Sequence, residues 1–220
     1  MKRFIWLLKL SRFALGGLLC AVLIGCEGGG DSHLGDGHDF GPNNPNLYVA
    51  LGNSITAGSG LANVNDRYSN KLAGMLSKTV INAGYPGACS STILDACYNI
   101  LDDNQPGYML ILCGVNDLIM GYGEEGAAIN IRIMVQACQD NKTIPVVATL
   151  TPVCYGHKIW ISSVDRLNVL IHQLCSDLDV ALVDLNAAFD NDTGYMQSDG
   201  LHPNETGHSL MALTFYDVVN

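Results

Sequence analysis

Five short stretches of the chain, residues 47–51, 79–82, 108–113, 144–150 and 180–183, are apolar at successive positions rather than at alternate ones. A strand with one wet face alternates apolar and polar residues, so continuous runs predict strands covered on both faces. Between them the period lengthens. Val164, Leu167, Ile171, Leu174 and Leu178 recur at three and four residues and mark one face of an amphipathic helix. Helices are expected also over 67–76, 91–101, 124–139 and 203–218, the last opening on Pro203, a residue suited to a first helical turn. Pro145 is compatible with the start of its strand and not with the middle of one. Strands alternating with helices predict an α/β fold, a three-layer α/β/α sandwich around a parallel sheet of about five strands.

The first 25 residues follow a different pattern. Lys2, Arg3, Lys9 and Arg12 precede an apolar stretch over 13–25, which falls short of the roughly 20 residues that a spanning helix needs. A charged start and a short apolar middle read as a secretory signal. It ends in Leu23-Ile24-Gly25-Cys26, which resembles the bacterial lipobox and implies lipid on Cys26, a membrane anchor and a place in the bacterial cell envelope. Residues 26–45, rich in Gly, Asp, Asn and Pro, are expected to be a flexible tether, and 46–220 a single domain. Asp31, His33, Asp36, His38 and Asp39 match no defined metal-ligand spacing, and no metal is expected there.

Charge narrows the partners. The chain carries 11 Lys and Arg against 21 Asp and Glu, a net charge of −10. Loss of the signal removes four cations and no anion, so the remainder stands at −14, which disfavours nucleic acid. Of the eight cysteines, Cys89, Cys97, Cys113, Cys138, Cys154 and Cys175 lie in the domain. Export makes disulfides plausible, and Cys89 with Cys97 is the closest local pair. Cys113, inside an apolar run, reads as a buried thiol. No C-x-x-C pair supports a zinc site.

Ligands of open parallel sheets bind beyond the carboxyl ends of the strands. Ser54 follows the first run in Gly52-Asn53-Ser54-Ile55-Thr56, and Asn82-Ala83-Gly84 closes the second. Gly114-Val115-Asn116-Asp117 follows the third, and Asp199-Gly200-Leu201-His202-Pro203 lies between the fifth and the last helix. All are thus expected on one edge. A serine becomes a nucleophile when a histidine takes its proton and a carboxylate orients that histidine, and Ser54, His202 and Asp199 supply the three groups.

These four blocks, in this order, resemble those of the SGNH hydrolase superfamily, the GDSL esterases and lipases. The resemblance covers the whole domain and implies a flavodoxin-like sheet. It implies Ser54 as nucleophile, His202 as base, Asp199 as its orienting acid, and an oxyanion hole from the N–H groups of Ser54 and Gly84 with the Asn116 amide. Asn53 departs from the family's usual aspartate, which removes a charge beside Ser54 and keeps a polar turn-former. The absence of G-x-S-x-G argues against the ordinary α/β-hydrolase elbow.

The expectation is a cofactor-free serine esterase acting on small-molecule or glycan acyl esters: short-chain or acetyl esters on carbohydrates, lysophospholipids or thioesters. Two alternatives stand beside it, an O-acyltransferase to a sugar and an inactive binding lipoprotein of the envelope. His172 and His208 fall within helices and read as surface or packing residues. His157, Trp160 and Tyr122 sit in loops on the expected active edge, where packing is the first reading and a pocket lining the second.

Overall fold

A computed structural model describes residues 33–220. The signal segment and Cys26 lie outside the described residues. Five strands form one parallel sheet in the order β2-β1-β3-β4-β5: β1 (Asn44–Gly52), β2 (Thr79–Gly84), β3 (Pro106–Leu112), β4 (Ile144–Ala148) and β5 (Ala181–Val183). Every expected strand is present. The continuous apolar runs are explained by burial: Val49, Ala50 and Leu51 of β1 and Met109 to Leu112 of β3 are wholly enclosed. Pro145 stands second in β4 and pairs with Met109, while β5 joins only from Val146 onward. Its missing N–H therefore faces no partner on that side.

Among the described residues, eight α-helices accompany the sheet: α1 (Ser54–Ala57), α2 (Tyr68–Leu76), α3 (Ser90–Asn104), α4 (Val115–Ile119), α5 (Glu124–Asp140), α6 (Ile161–Leu178), α7 (Leu185–Phe189) and α8 (Glu205–Val219). Helices α2 and α8 pack together, and α3, α5 and α6 form a second layer. The stripe on α6 is buried as its spacing required, at Val164, Leu167, Ile171 and Leu174. The short helices α1, α4 and α7 had no periodicity long enough to be read from sequence. Each follows a strand directly and turns its loop back over the sheet edge.

The expected tether ending at residue 45 is corrected from His33 onward, because these residues belong to the same compact unit as the domain. Tyr108 Oη donates to Leu34 O at 2.7 Å, Asn43 Nδ2 donates to Asn141 O at 2.6 Å, and Asp39 pairs with Lys142. Phe40 lies 5.6 Å from the Tyr108 ring, which itself stacks on Tyr48 at 4.2 Å. Composition predicted a tether because Leu34 and Phe40 are the segment's only large apolar residues and its other contacts are polar.

The pairing of Cys89 with Cys97 is also corrected: the domain cysteines are free thiols. Cys89 caps α3 and Cys97 lies eight residues along it. That is about 12 Å of helical rise, well beyond the span a disulfide bridges. Cys113 is buried, as expected.

Register sets the level of the loops. Gly52 ends β1 opposite Gly84 of β2 and Leu112 of β3, so the chain leaves three adjacent strands at one height. The order reversal between β1 and its neighbours makes this the switch point of the sheet, where a crevice opens.

Candidate active site

Ser54 is the first residue of α1, immediately beyond β1. Asn53 caps that helix: its Oδ1 accepts the Ile55 N–H at 3.0 Å. The turn-forming role expected of Asn53 is met without a charge beside Ser54. The serine is 8% exposed.

His202 reaches it from the loop before α8. His202 Nδ1 lies 2.6 Å from Asp199 Oδ2, and Nε2 lies 2.9 Å from Ser54 Oγ. An ionised carboxylate only accepts, so Nδ1 carries the proton and Nε2 is left to accept from the Ser54 hydroxyl. The other Asp199 oxygen accepts the backbone N–H groups of Leu201 at 2.9 Å and His202 at 3.1 Å. Three residues of separation are thus bridged by one turn wound around the carboxylate. Burial alone raises the Asp199 carboxyl, but the His202 imidazole and the two N–H groups outweigh it and hold it below the usual carboxylate range.

A residue with no motif behind it joins this loop to the serine loop. Gln197 Nε2 donates to Ser59 O at 2.8 Å and to Pro203 O at 2.9 Å, and the Gln197 N–H donates to His202 O at 2.8 Å. One side chain therefore ties the chain just past Ser54 to the chain just past His202. His157 adds a second tie, its Nδ1 lying 2.8 Å from Asp199 O.

The opposite side of Ser54 is built from the loops after β2 and β3. Asn116 is 7% exposed, and its Nδ2 donates to Ala88 O at 2.9 Å. That bond uses one amide hydrogen and leaves the other available. Gly84 is placed differently from expectation. Its N–H donates to Asn82 Oδ1 at 3.2 Å, and a Cβ on it would lie 2.2 Å from Ala57 N. Close packing of β2 against α1 is what requires glycine here, and its donor is already engaged. Gly87, three residues on, has φ +78 and open space around its Cα. Among the described residues its N–H has no acceptor, and neither has that of Ser54. Because Asn116 binds the next carbonyl, Ala88 O, the free Gly87 N–H and the Asn116 amide belong to neighbouring groups. The second glycine of Gly84-Tyr85-Pro86-Gly87 was the available signal, and a glycine pair in a loop is too common to single out one member.

The remaining residues fall out plainly. His208 is fully buried in α8, and Trp160 packs against the core. His172 Nε2 lies 3.2 Å from Asp184 Oδ2 on the surface. Tyr122 is 69% exposed in the loop after α4, with Met120 and Tyr85 also exposed on this edge. Among the described residues no three His, Cys, Asp or Glu side chains gather as a metal site.

The fold and this arrangement define a class: three-layer α/β proteins with a hydroxyl, an imidazole and a carboxylate in series at the carboxyl edge of the sheet. The chain belongs to the GDSL-like lipase/acylhydrolase family, whose model matches residues 50–210. It is 24% identical over 177 residues to thioesterase 1/protease 1/lysophospholipase L1 of Escherichia coli strain K12, covering 74% of this chain and 78% of that protein. It is also 24% identical over 133 residues to an N-acylneuraminate cytidylyltransferase of Streptococcus agalactiae serotype V, covering 59% of this chain. The chain spans only 32% of that longer relative. A lipolytic protein of the G-D-S-L family from Veillonella parvula shares the fold, with a TM-score of 0.70, 16% identity, and coverage of 78% of this chain and 97% of that one.

Proposed function

We propose that the protein is a serine ester hydrolase. The observation that carries this reading is the unbroken series from Ser54 Oγ through His202 to Asp199, at 2.9 and 2.6 Å. Ser54 Oγ attacks the ester carbonyl as its proton passes to His202 Nε2. The carbonyl oxygen becomes an oxyanion held by the Ser54 N–H, the Gly87 N–H and the Asn116 Nδ2. His202 then gives its proton to the departing alcohol, leaving an acyl-serine. A water, deprotonated by the same imidazole, releases the acid and restores Ser54. Asp199 keeps Nδ1 protonated and faces the imidazolium with a carboxylate whose affinity for protons is depressed.

Substrate size follows from the loops. Only five residues, Tyr85 to Cys89, separate β2 from α3, which leaves that side of the edge too short, among the described residues, to enclose an extended chain. Acetyl and other short acyl groups suit such a site, on a carbohydrate or a small alcohol. Exposed Tyr85 and Tyr122 offer flat apolar faces to a sugar ring. The basic start, the short apolar stretch and Cys26 support attachment to a bacterial envelope by lipid.

The test is a panel of 4-nitrophenyl esters of increasing chain length together with acetylated sugars. The reading predicts turnover that falls beyond short acyl chains, with Ser54→Ala lowering kcat by at least about 10⁴-fold. A Ser54→Ala variant that keeps the wild-type rate contradicts it.

A further inference from the structure

A second buried polar set stands behind the oxyanion donors. Asp117 is 3% exposed, next in sequence to Asn116. Its Oδ2 accepts the Ser90 N–H at 2.8 Å and its Oδ1 accepts the Ser90 hydroxyl at 2.6 Å. Asn130 of α5 in turn donates through Nδ2 to Ser90 Oγ at 2.8 Å.

Asp117 thereby caps α3, whose own N-cap residue, Cys89, makes no side-chain bond. Where other α-helices have a side-chain cap it is local: Asn53 serves α1, Asp184 serves α7 and Asn204 serves α8, while α2, α4, α5 and α6 have none. A Ser, Asp or Asn at position 89 would cap α3 locally, through the N–H of Ser91 or Thr92. The cap instead comes from 27 residues along the chain and buries a carboxylate, a costly arrangement unless every oxygen is bonded. What the distant cap adds is a tie between loops. Asn116 binds Ala88 O while Asp117 binds Ser90 N–H and Oγ. Two successive residues grip both sides of Cys89, with Gly87 just ahead of the grip.

We propose that Asp117 is a positioning residue that, through Ser90, clamps the Gly87 loop against Asn116 and sets the spacing of the oxyanion donors. The proposal rests on the serine-hydrolase reading above. Asp117 touches no reacting atom. Its effect is on the geometry of two donors that bind only as charge develops on the carbonyl oxygen, so it belongs in kcat and not in KM.

A double-mutant cycle with 4-nitrophenyl acetate tests it. Asp117→Asn keeps the side chain's shape and replaces one acceptor oxygen with a donor. The expected result is a fall in kcat of about 10- to 100-fold with KM within about twofold. In an Asn116→Ala background the same change should cost less than about threefold more, because the amide being positioned is gone. Independent, multiplicative losses, an unchanged kcat, or a loss confined to KM each overturn the proposal. Should Asp117→Asn fail to fold, Ser90→Ala takes its place in the cycle. It retains the backbone bond to Asp117, loses the hydroxyl link, and is expected to lower kcat by about 3- to 10-fold with the same non-additivity. An unchanged kcat in Ser90→Ala overturns the proposal as well. A rate that survives Ser54→Ala sinks the serine reading itself, whereas a rate that needs Ser54 and ignores Asp117→Asn sinks only the clamp.

Discussion

The two sides of Ser54 are built by opposite means. On the base side, Asp199 and His202 share one turn, and the carboxylate that orients the imidazole also accepts the turn's own N–H groups. On the oxyanion side, the two proposed donors beyond the Ser54 N–H, at Gly87 and Asn116, follow β2 and β3 and are joined by side chains from α3, α4 and α5. The base side is local and held to the serine by Gln197. The oxyanion side is assembled at a distance and depends on buried polar groups finding each other. Change in the surrounding fold is expected to reach the oxyanion side through these long-range bonds more than it reaches the single turn of the base side.

Two substitutions sharpen that contrast. Asn116→Ala removes a donor outright and is expected to lower kcat by about 10²- to 10³-fold with little change in KM. Steady-state kinetics of a soluble domain spanning residues 33–220 measures it, and a near-normal kcat would take Asn116 out of the hole. Gln197→Ala loosens the tie between Ser59 and Pro203 without removing a reacting group. A loss of about tenfold in kcat is expected, from occasional misplacement of His202. If the loss equals that of Asn116→Ala, the base side is no more self-sufficient than the oxyanion side.

A separate prediction concerns stability behind the base side. His208 is enclosed behind the base loop, stacked on Tyr68, with the Tyr68 N–H donating to its Nδ1 at 3.2 Å. Burial, with the charges of Lys71, His202 and Arg67, pushes its pKa down to about 4. The folded protein keeps it neutral, while the unfolded chain takes up the proton below about pH 6.5. The unfolded state then binds more protons between pH 6.5 and 4, so stability falls as pH falls across that window and levels off below it. The contribution is about 3 kcal/mol. Urea unfolding of the wild type and His208→Leu between pH 7 and 4 checks it, the variant showing a shallower decline. Parallel declines would remove His208 as the cause.

The same contrast governs what could be read from sequence. The strands were legible because burial on both faces forces unbroken apolar runs, and α6 because its stripe recurs from Val164 to Leu178. Ser54, Asp199 and His202 were legible because their chemistry is carried by residue type and short spacing. Gln197 was not, since an amide donating to two backbone carbonyls needs no particular neighbours in sequence. Gly84 was expected as a donor because the resemblance to the family's glycine block placed it there. The bond from its N–H to Asn82 and the unpaired N–H at Gly87 are what move the proposed donor to Gly87. The arm from His33 to Asn43 was hidden by its polarity, although Leu34 and Phe40 dock it against Tyr108. Asp117 reads as ordinary turn chemistry until Ser90 and Asn130 are seen around it.

The central claim is that Ser54 is the nucleophile, activated by His202. Its most direct test is intact-mass spectrometry with peptide mapping after treatment with a fluorophosphonate. The account predicts one phosphonyl adduct, on the peptide that contains Ser54, formed in the wild type, slowed severely in His202→Ala and absent in Ser54→Ala. Labelling of Ser54→Ala at the wild-type rate, or no labelling of a folded wild-type protein, would contradict it.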